Sequence, residues 1–222
     1  MPVKRTIADS IPEGYKMMRK ALANRADSSV VIITVGFATN LSRLLNSQPD
    51  EFSELNGIEL IKKKVKLLSI MSGTYNDDTF NNPEWNVLQD LKAAQNVYNN
   101  WPTEVIASGS EVGVRILYPH ESVLNDYPGG EKHPLCVSYK SYEQMPYDRP
   151  CWDLTSVLYA IEPENSHLNI SPKGKITIDE KGYSRFTSSQ EGKHRFLIID
   201  NDSVAAVVNK LVEVSTNIPQ NH

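Results

Sequence analysis

Residues 29–35 read SVVIITV, a β-branched apolar run with almost no polar alternation. Such a run fits neither a one-faced strand nor an amphipathic helix; it fits a parallel strand covered on both faces. A second run, VKLLSIM at 65–71, has the same character. Before and between them lie helical pieces. Pro12 suits the first turn of a helix, and Tyr15, Met18, Ala21 and Leu22 follow at helical spacing until about residue 26. A second helix begins at Asn40, and 51–55 and 58–63 read as short helical or irregular pieces. A third strand is expected at 104–108. This alternation implies an α/β fold with an open, mostly parallel sheet flanked by helices.

The later chain changes character. Residues 109–113 lead into a helix, and Pro119, Pro128, Gly129 and Gly130 bend 118–132. Helices are expected at 133–144 and at 153–161, the latter with Leu154, Val157, Leu158 and Ile161 on one face. Residues 175–178 and 183–187 alternate around Gly182 as a small antiparallel hairpin, followed by a strand at 194–199 and an amphipathic helix at 204–214. A chain of 222 residues fits a single domain, expected over residues 1–222. Its net charge of −4 argues against a nucleic-acid partner, since phosphate binding wants a basic face. Lys62, Lys63 and Lys64 read as the solvated end of a helix. The cysteines, Cys136 and Cys151, make neither a disulfide framework nor a zinc site and are expected as half-buried thiols. No apolar run approaches a membrane span. Residues 1–10 are polar and expected to be irregular; they carry charge but no apolar centre, so no signal peptide is expected and the location is cytoplasmic by default.

The stretch most suited to chemistry is LLSIMSGTYNDDTFNNPEWN, residues 67–86. It places Met71 and a set of amides and carboxylates beyond the C-terminal end of a strand, where ligands bind in open α/β sheets. Glu84 and Asn86 flank Trp85; in an extended segment residues two apart face the same way. A carboxylate and an amide suit a ligand whose hydroxyls both donate and accept. The plain alternative is a pair that ties the loop before a helix capped by Asp90. Met71 is otherwise core filler, Asp153 a helix N-cap, Thr39 a local cap and Trp152 a packed core residue. Glu111 reads as a pocket or capping residue, and His133 as a surface or helix residue.

Three motifs in register carry a resemblance: Met71-Ser72-Gly73 with Glu84-Trp85-Asn86, Gly36-Phe37-Ala38-Thr39-Asn40-Leu41, and Trp152-Asp153-Leu154-Thr155. Together they resemble the inosine–uridine-preferring nucleoside hydrolase family, over essentially the whole chain and about the last two thirds of the family's domain. The resemblance implies a nucleoside-hydrolase-like, Rossmann-like fold and calcium-assisted N-ribosyl hydrolysis of nucleosides. It implies Asp153 and the Thr39 carbonyl as metal ligands. It implies Met71, Glu84, Asn86 and one of Asn76, Asn81 or Asn82 around the ribose, and Trp152 against the base.

The family opens on a strand ending in Asp-x-Asp-x-x-x-Asp-Asp, and no stretch of this sequence has that motif. The expectation is therefore an N-terminally truncated relative. No residue of this chain is assigned as the catalytic base, calcium is expected to bind weakly or not at all, and activity of the chain alone is uncertain. The alternative is a catalytically inactive ribosyl-binding or structural protein. The expected partner is a nucleoside or ribose. A sheet missing a central strand would expose two apolar edges and favour homo-oligomers.

Overall fold

The three apolar runs become three neighbouring parallel strands. The computed structural model describes residues 12–75 and 82–217; the N-terminal residues 1–10 and the loop positions Asn76 and Asn81 lie outside them. In chain order the elements are α1 (Gly14–Ala23), β1 (Val30–Thr34), α2 (Thr39–Leu45), α3 (Gly57–Lys64), β2 (Val65–Met71), α4 (Trp85–Gln89), α5 (Leu91–Asn100), β3 (Glu104–Ser108) and α6 (Ser110–Gly113). Then follow β4 (Leu117–Tyr118), α7 (His120–Asn125), α8 (Pro134–Tyr142), β5 (Arg149–Pro150), α9 (Trp152–Ile161), β6 (Asn169–Ile170), β7 (Gly174–Ile178), β8 (Ser184–Ser188), β9 (His194–Ile198) and α10 (Val204–Thr216).

The main sheet runs β1-β2-β3-β9-β7-β8, with β6 added to β9. β1, β2, β3 and β9 are parallel, while β7 is antiparallel to both β9 and β8. β4 and β5 form a separate small antiparallel pair. The sheet therefore has no gap at its centre. Among the described residues the two apolar edges expected from the sequence reduce to one: β1 is an apolar edge, whereas the opposite edge, β8, reads SRFTS.

Alternation along each parallel strand divides the interior into two cores. Leu68 and Ile70 of β2 and Val105 and Ala107 of β3 face a core built with α1, α2, α3, α5 and the β7–β8 hairpin. Ile106 of β3 and Leu197 of β9 face a second core built with α6 to α10. Local chemistry sets the helix starts. Asn56 and Glu59 close a capping box on α3. Asp90 accepts the Ala93 N–H at 3.1 Å to start α5. Lys62 and Lys63 are exposed at the end of α3, as expected of a solvated helix end, whereas Lys64, its side chain 14% exposed, bonds Arg25 O and Asp27. Both cysteines are buried rather than half-buried, and burial pushes the Cys151 thiol up to about 12.

Candidate active site

β2 ends at Met71, and the chain turns at Gly73 with φ +82°, a left-handed conformation that favours glycine. The chain then returns at Pro83, and Glu84 (φ −74°, ψ 144°) caps α4. The Glu84 carboxylate accepts the Asn86 N–H at 2.8 Å, the Val87 N–H at 3.1 Å and the Gly73 N–H at 3.4 Å. A carboxylate offers about four lone-pair sites, so one remains. Asn86 is already helical, so Glu84 and Asn86 are brought together by a helix cap and not by the extended alternation expected from the sequence. The Asn86 Nδ2 lies 3.2 Å from Met71 Sδ and 3.4 Å from Met71 O, which leaves its Oδ1 as a free acceptor among the described residues.

The opposing wall comes from α9. Cys151, not Asp153, is the N-cap of this helix; Asp153 sits in the first turn and makes no capping bond. The structure gathers Met71, Glu84, Asn86, Trp152 and Asp153 around one cleft of about 410 Å³, in the size range of small-molecule sites. Burial, with the facing Asp153 charge, holds the Glu84 carboxyl above the usual carboxylate range although its backbone N–H bonds pull the other way. Burial also raises Asp153, against the pull of Arg149.

Of the other expected residues, Thr39, Glu111 and His133 fall elsewhere. Thr39 starts α2 and does not line the cleft; its Oγ1 donates to Asp90 Oδ2 at 2.5 Å, tying the start of α2 to the cap of α5. Glu111 is buried, and its Oε1 accepts the Tyr75 N–H at 3.0 Å. His133 caps α8, accepting the Leu135 N–H at 3.3 Å. Asn82 does line the cleft. Sequence reasoning missed Val35, Thr74, Trp85 and Ser110, which also line it. Val35 and Ser110 were findable, because each follows the C-terminal end of a parallel strand.

The donors that the described residues bring to the cleft do not by themselves fit a calcium ion. Calcium takes six to eight oxygens, several of them charged. In the cleft the Asp153 carboxylate is available, the Glu84 carboxylate already holds three N–H groups, and Thr39 is not at the cleft. Elsewhere, His120, Glu121 and Asp148 bring ligand atoms within 4.8 Å of one another, an arrangement that could hold a metal ion. There Asp148 Oδ1 already receives the His120 N–H at 2.9 Å and lies 2.7 Å from His120 Nδ1, so a helix-start ion pair accounts for the cluster.

No curated protein sequence matches the chain. Solved structures share its fold. The inosine-uridine preferring nucleoside hydrolase from Bacillus anthracis is 14% identical with a TM-score of 0.63; the match covers 92% of this chain and 66% of that one. An inosine-guanosine nucleoside hydrolase is 17% identical with a TM-score of 0.64, covering 91% and 68%. A type III effector protein, XopQ, solved in complex with adenosine diphosphate ribose, is 13% identical with a TM-score of 0.56, covering 92% and 66%. The chain thus spans about two thirds of the length of each. The profile of one family matches residues 4–213, nearly the whole sequence, and on that match the chain belongs to the inosine-uridine preferring nucleoside hydrolase family.

Proposed function

We propose that the cleft binds the ribosyl part of a nucleoside and that the chain serves N-ribosyl hydrolysis, the chemistry of its family. One observation carries this reading: residues from two stretches far apart in sequence, Met71 to Asn86 and Trp152-Asp153, line one cleft at the C-terminal ends of parallel strands. The remaining lone pair of Glu84 and the free Oδ1 of Asn86 are two acceptors, a match for the two hydroxyl donors of a ribose diol. Met71 lies beneath the sugar. Trp152 supplies a flat apolar face for the base. Asp153 is the carboxylate left to face the anomeric carbon, where N-glycosidic cleavage develops positive charge and a water must arrive.

Calcium assistance belongs to this reading only weakly. Among the described residues Asp153 is one carboxylate, and the Thr39 carbonyl, the other candidate ligand, starts a helix away from the cleft lining. A dication held by so few charges binds loosely, and hydrolysis by the chain alone is expected to be slow.

The test is release of ribose from inosine and uridine by the full chain, with calcium added or chelated, beside calorimetric binding of ribose and each nucleoside. Binding with slow, calcium-independent turnover supports the proposal as stated. Fast calcium-dependent turnover would overturn the account of the donor set. Binding with no turnover favours a second reading, a ribosyl-holding protein. One observation favours that one: the solved effector of this fold carries adenosine diphosphate ribose. No binding of any ribosyl ligand sinks both readings.

A further inference from the structure

We infer that a buried hydroxyl chain, Ser108 to Thr155 to the Trp152 carbonyl, is the positioning element that fixes Trp152 and Asp153 against the floor of the cleft. The contact between α9 and the sheet would ordinarily be apolar. Directly behind the cleft it instead holds Ser69, Ser108, Thr155 and Ser156, all at 0% exposure. Buried hydroxyls are costly unless bonded; Ser156 Oγ has no partner among the described residues, and the pairing of the other three is informative. Ser108 Oγ lies 2.6 Å from Thr155 Oγ1, and Thr155 Oγ1 donates to Trp152 O at 2.8 Å. Thr155 has one hydroxyl proton. With that proton on the Trp152 carbonyl, Ser108 must donate to Thr155, and the chain has a single direction.

Its two ends explain its use. Ser108 is the β3 residue in register with Met71, and its carbonyl accepts the Ser72 N–H at 3.0 Å. One end is thus tied to the strand that forms the floor. The other end is the carbonyl immediately before Asp153, in the first turn of α9, the part of a helix most prone to fray. The backbone meets this anchor closely. A Cβ on Gly113 would lie 2.4 Å from Trp152 Cα, and Cys151 donates its N–H to Gly113 O at 3.1 Å and Ile116 O at 2.9 Å. A second tether, Ser69 Oγ to Ser156 O at 2.8 Å, joins the same helix to β2 but bonds neither Trp152 nor Asp153. It serves as an internal control.

The ligand arm of this inference rests on the ribosyl reading; the structural arm does not. Hydrogen exchange of the amides in residues 151–156 is measured by mass spectrometry in the wild type and in Ser108→Ala, Thr155→Val, Thr155→Ser and Ser69→Ala. Affinity for ribose and inosine, and the melting temperature, are measured on the same proteins. Loss of the hydroxyl in Ser108→Ala or Thr155→Val should speed exchange in this segment and weaken ligand binding, each about tenfold. Thr155→Ser, which keeps the hydroxyl, should behave as wild type, and Ser69→Ala should lower the melting temperature without either effect. Unchanged exchange in Ser108→Ala and Thr155→Val, or equal opening in Ser69→Ala, overturns the inference. So does affinity that merely tracks melting temperature across the four variants. If Thr155→Val fails to fold, Ser108→Ala reads the same bond from its other end. If the wild type binds no ribosyl ligand, the ribosyl reading falls, while exchange still decides the role of the hydroxyl chain.

Discussion

Glu84 and Asn86 are joined by one short bond: Glu84 Oε1 accepts the Asn86 N–H at 2.8 Å, so the residue proposed to hold the sugar also builds the helix that presents its neighbour. Structure and binding should therefore fail together at this position, but to different degrees. Glu84→Ala removes the cap of α4 and should cost about 1–2 kcal/mol of stability. Glu84→Gln keeps one acceptor oxygen but sets an NH2 donor against N–H groups bonded by the other, so it should also cost about 1–3 kcal/mol, while weakening ribose binding roughly tenfold because a charged acceptor is lost. Urea melts beside calorimetry separate the two effects. Unaltered ribose affinity in Glu84→Gln would remove Glu84 from the sugar site.

At Thr39 the side chain and the carbonyl have separable duties. The hydroxyl bonds Asp90, 51 residues away. Thr39→Val keeps the shape and the carbonyl but leaves Asp90 Oδ2 without that donor, so stability should fall by about 1–3 kcal/mol. Any calcium affinity carried by the carbonyl should be unchanged. A loss of calcium affinity with no loss of stability would show that the hydroxyl, not the carbonyl, meets the metal.

His194 should give the fold an acid limit. It is buried, its Nδ1 accepts the Ile176 N–H at 2.9 Å, and burial pushes its pKa from 6.5 down to about 4, with Lys175 and Lys193 adding to the effect. Between those two values the unfolded chain holds a proton that the folded chain does not. Stability is therefore fully present above about pH 6.5 and declines as pH falls toward 4, by up to roughly 3 kcal/mol. Chemical denaturation across that range should show the decline in the wild type and a flatter profile in His194→Gln. Equal slopes would assign the acid sensitivity to other groups.

The outer edge of β1 has no strand partner among the described residues. Val31, Ile33 and Val35 alternate with the core-facing Val30 and Ile32 and are 36–39% exposed, with Leu154 and Ile161 of α9 exposed as well. An apolar strand edge lacking charge or proline favours pairing with another chain. Light scattering should show a mass that rises with concentration, and Ile33→Lys should hold the protein at 24.9 kDa. A wild type that stays monomeric throughout would mean that the edge is covered.

The strands were legible because burial on both faces leaves a plain mark. The 104–108 strand was read to the residue, and the hairpin around Gly182 to within one. α4 was not legible. WNVLQ has no helical stripe of its own, and the helix exists because Glu84 satisfies its first N–H groups from the preceding turn. The cleft residues Met71, Glu84, Asn86, Trp152 and Asp153 were visible through their motifs. The hydroxyl chain behind them was not. Thr155 and Ser156 in DLTSVL read as ordinary helix positions, and nothing local reports a partner 47 residues earlier. Pairings set by helix packing, such as Thr39 with Asp90, have no local signature either.

The division of the interior by the sheet gives the two sides of the cleft separate foundations. Val87, behind Glu84 and Asn86, belongs to one core, whereas Cys151 and Leu158, flanking Trp152 and Asp153, belong to the other. A repacking substitution in either core shifts one jaw and leaves its opponent standing. Such a vice can be re-gapped from one side at a time, so the proposed grip on a sugar and the proposed face for a base are able to diverge independently as the sequence drifts.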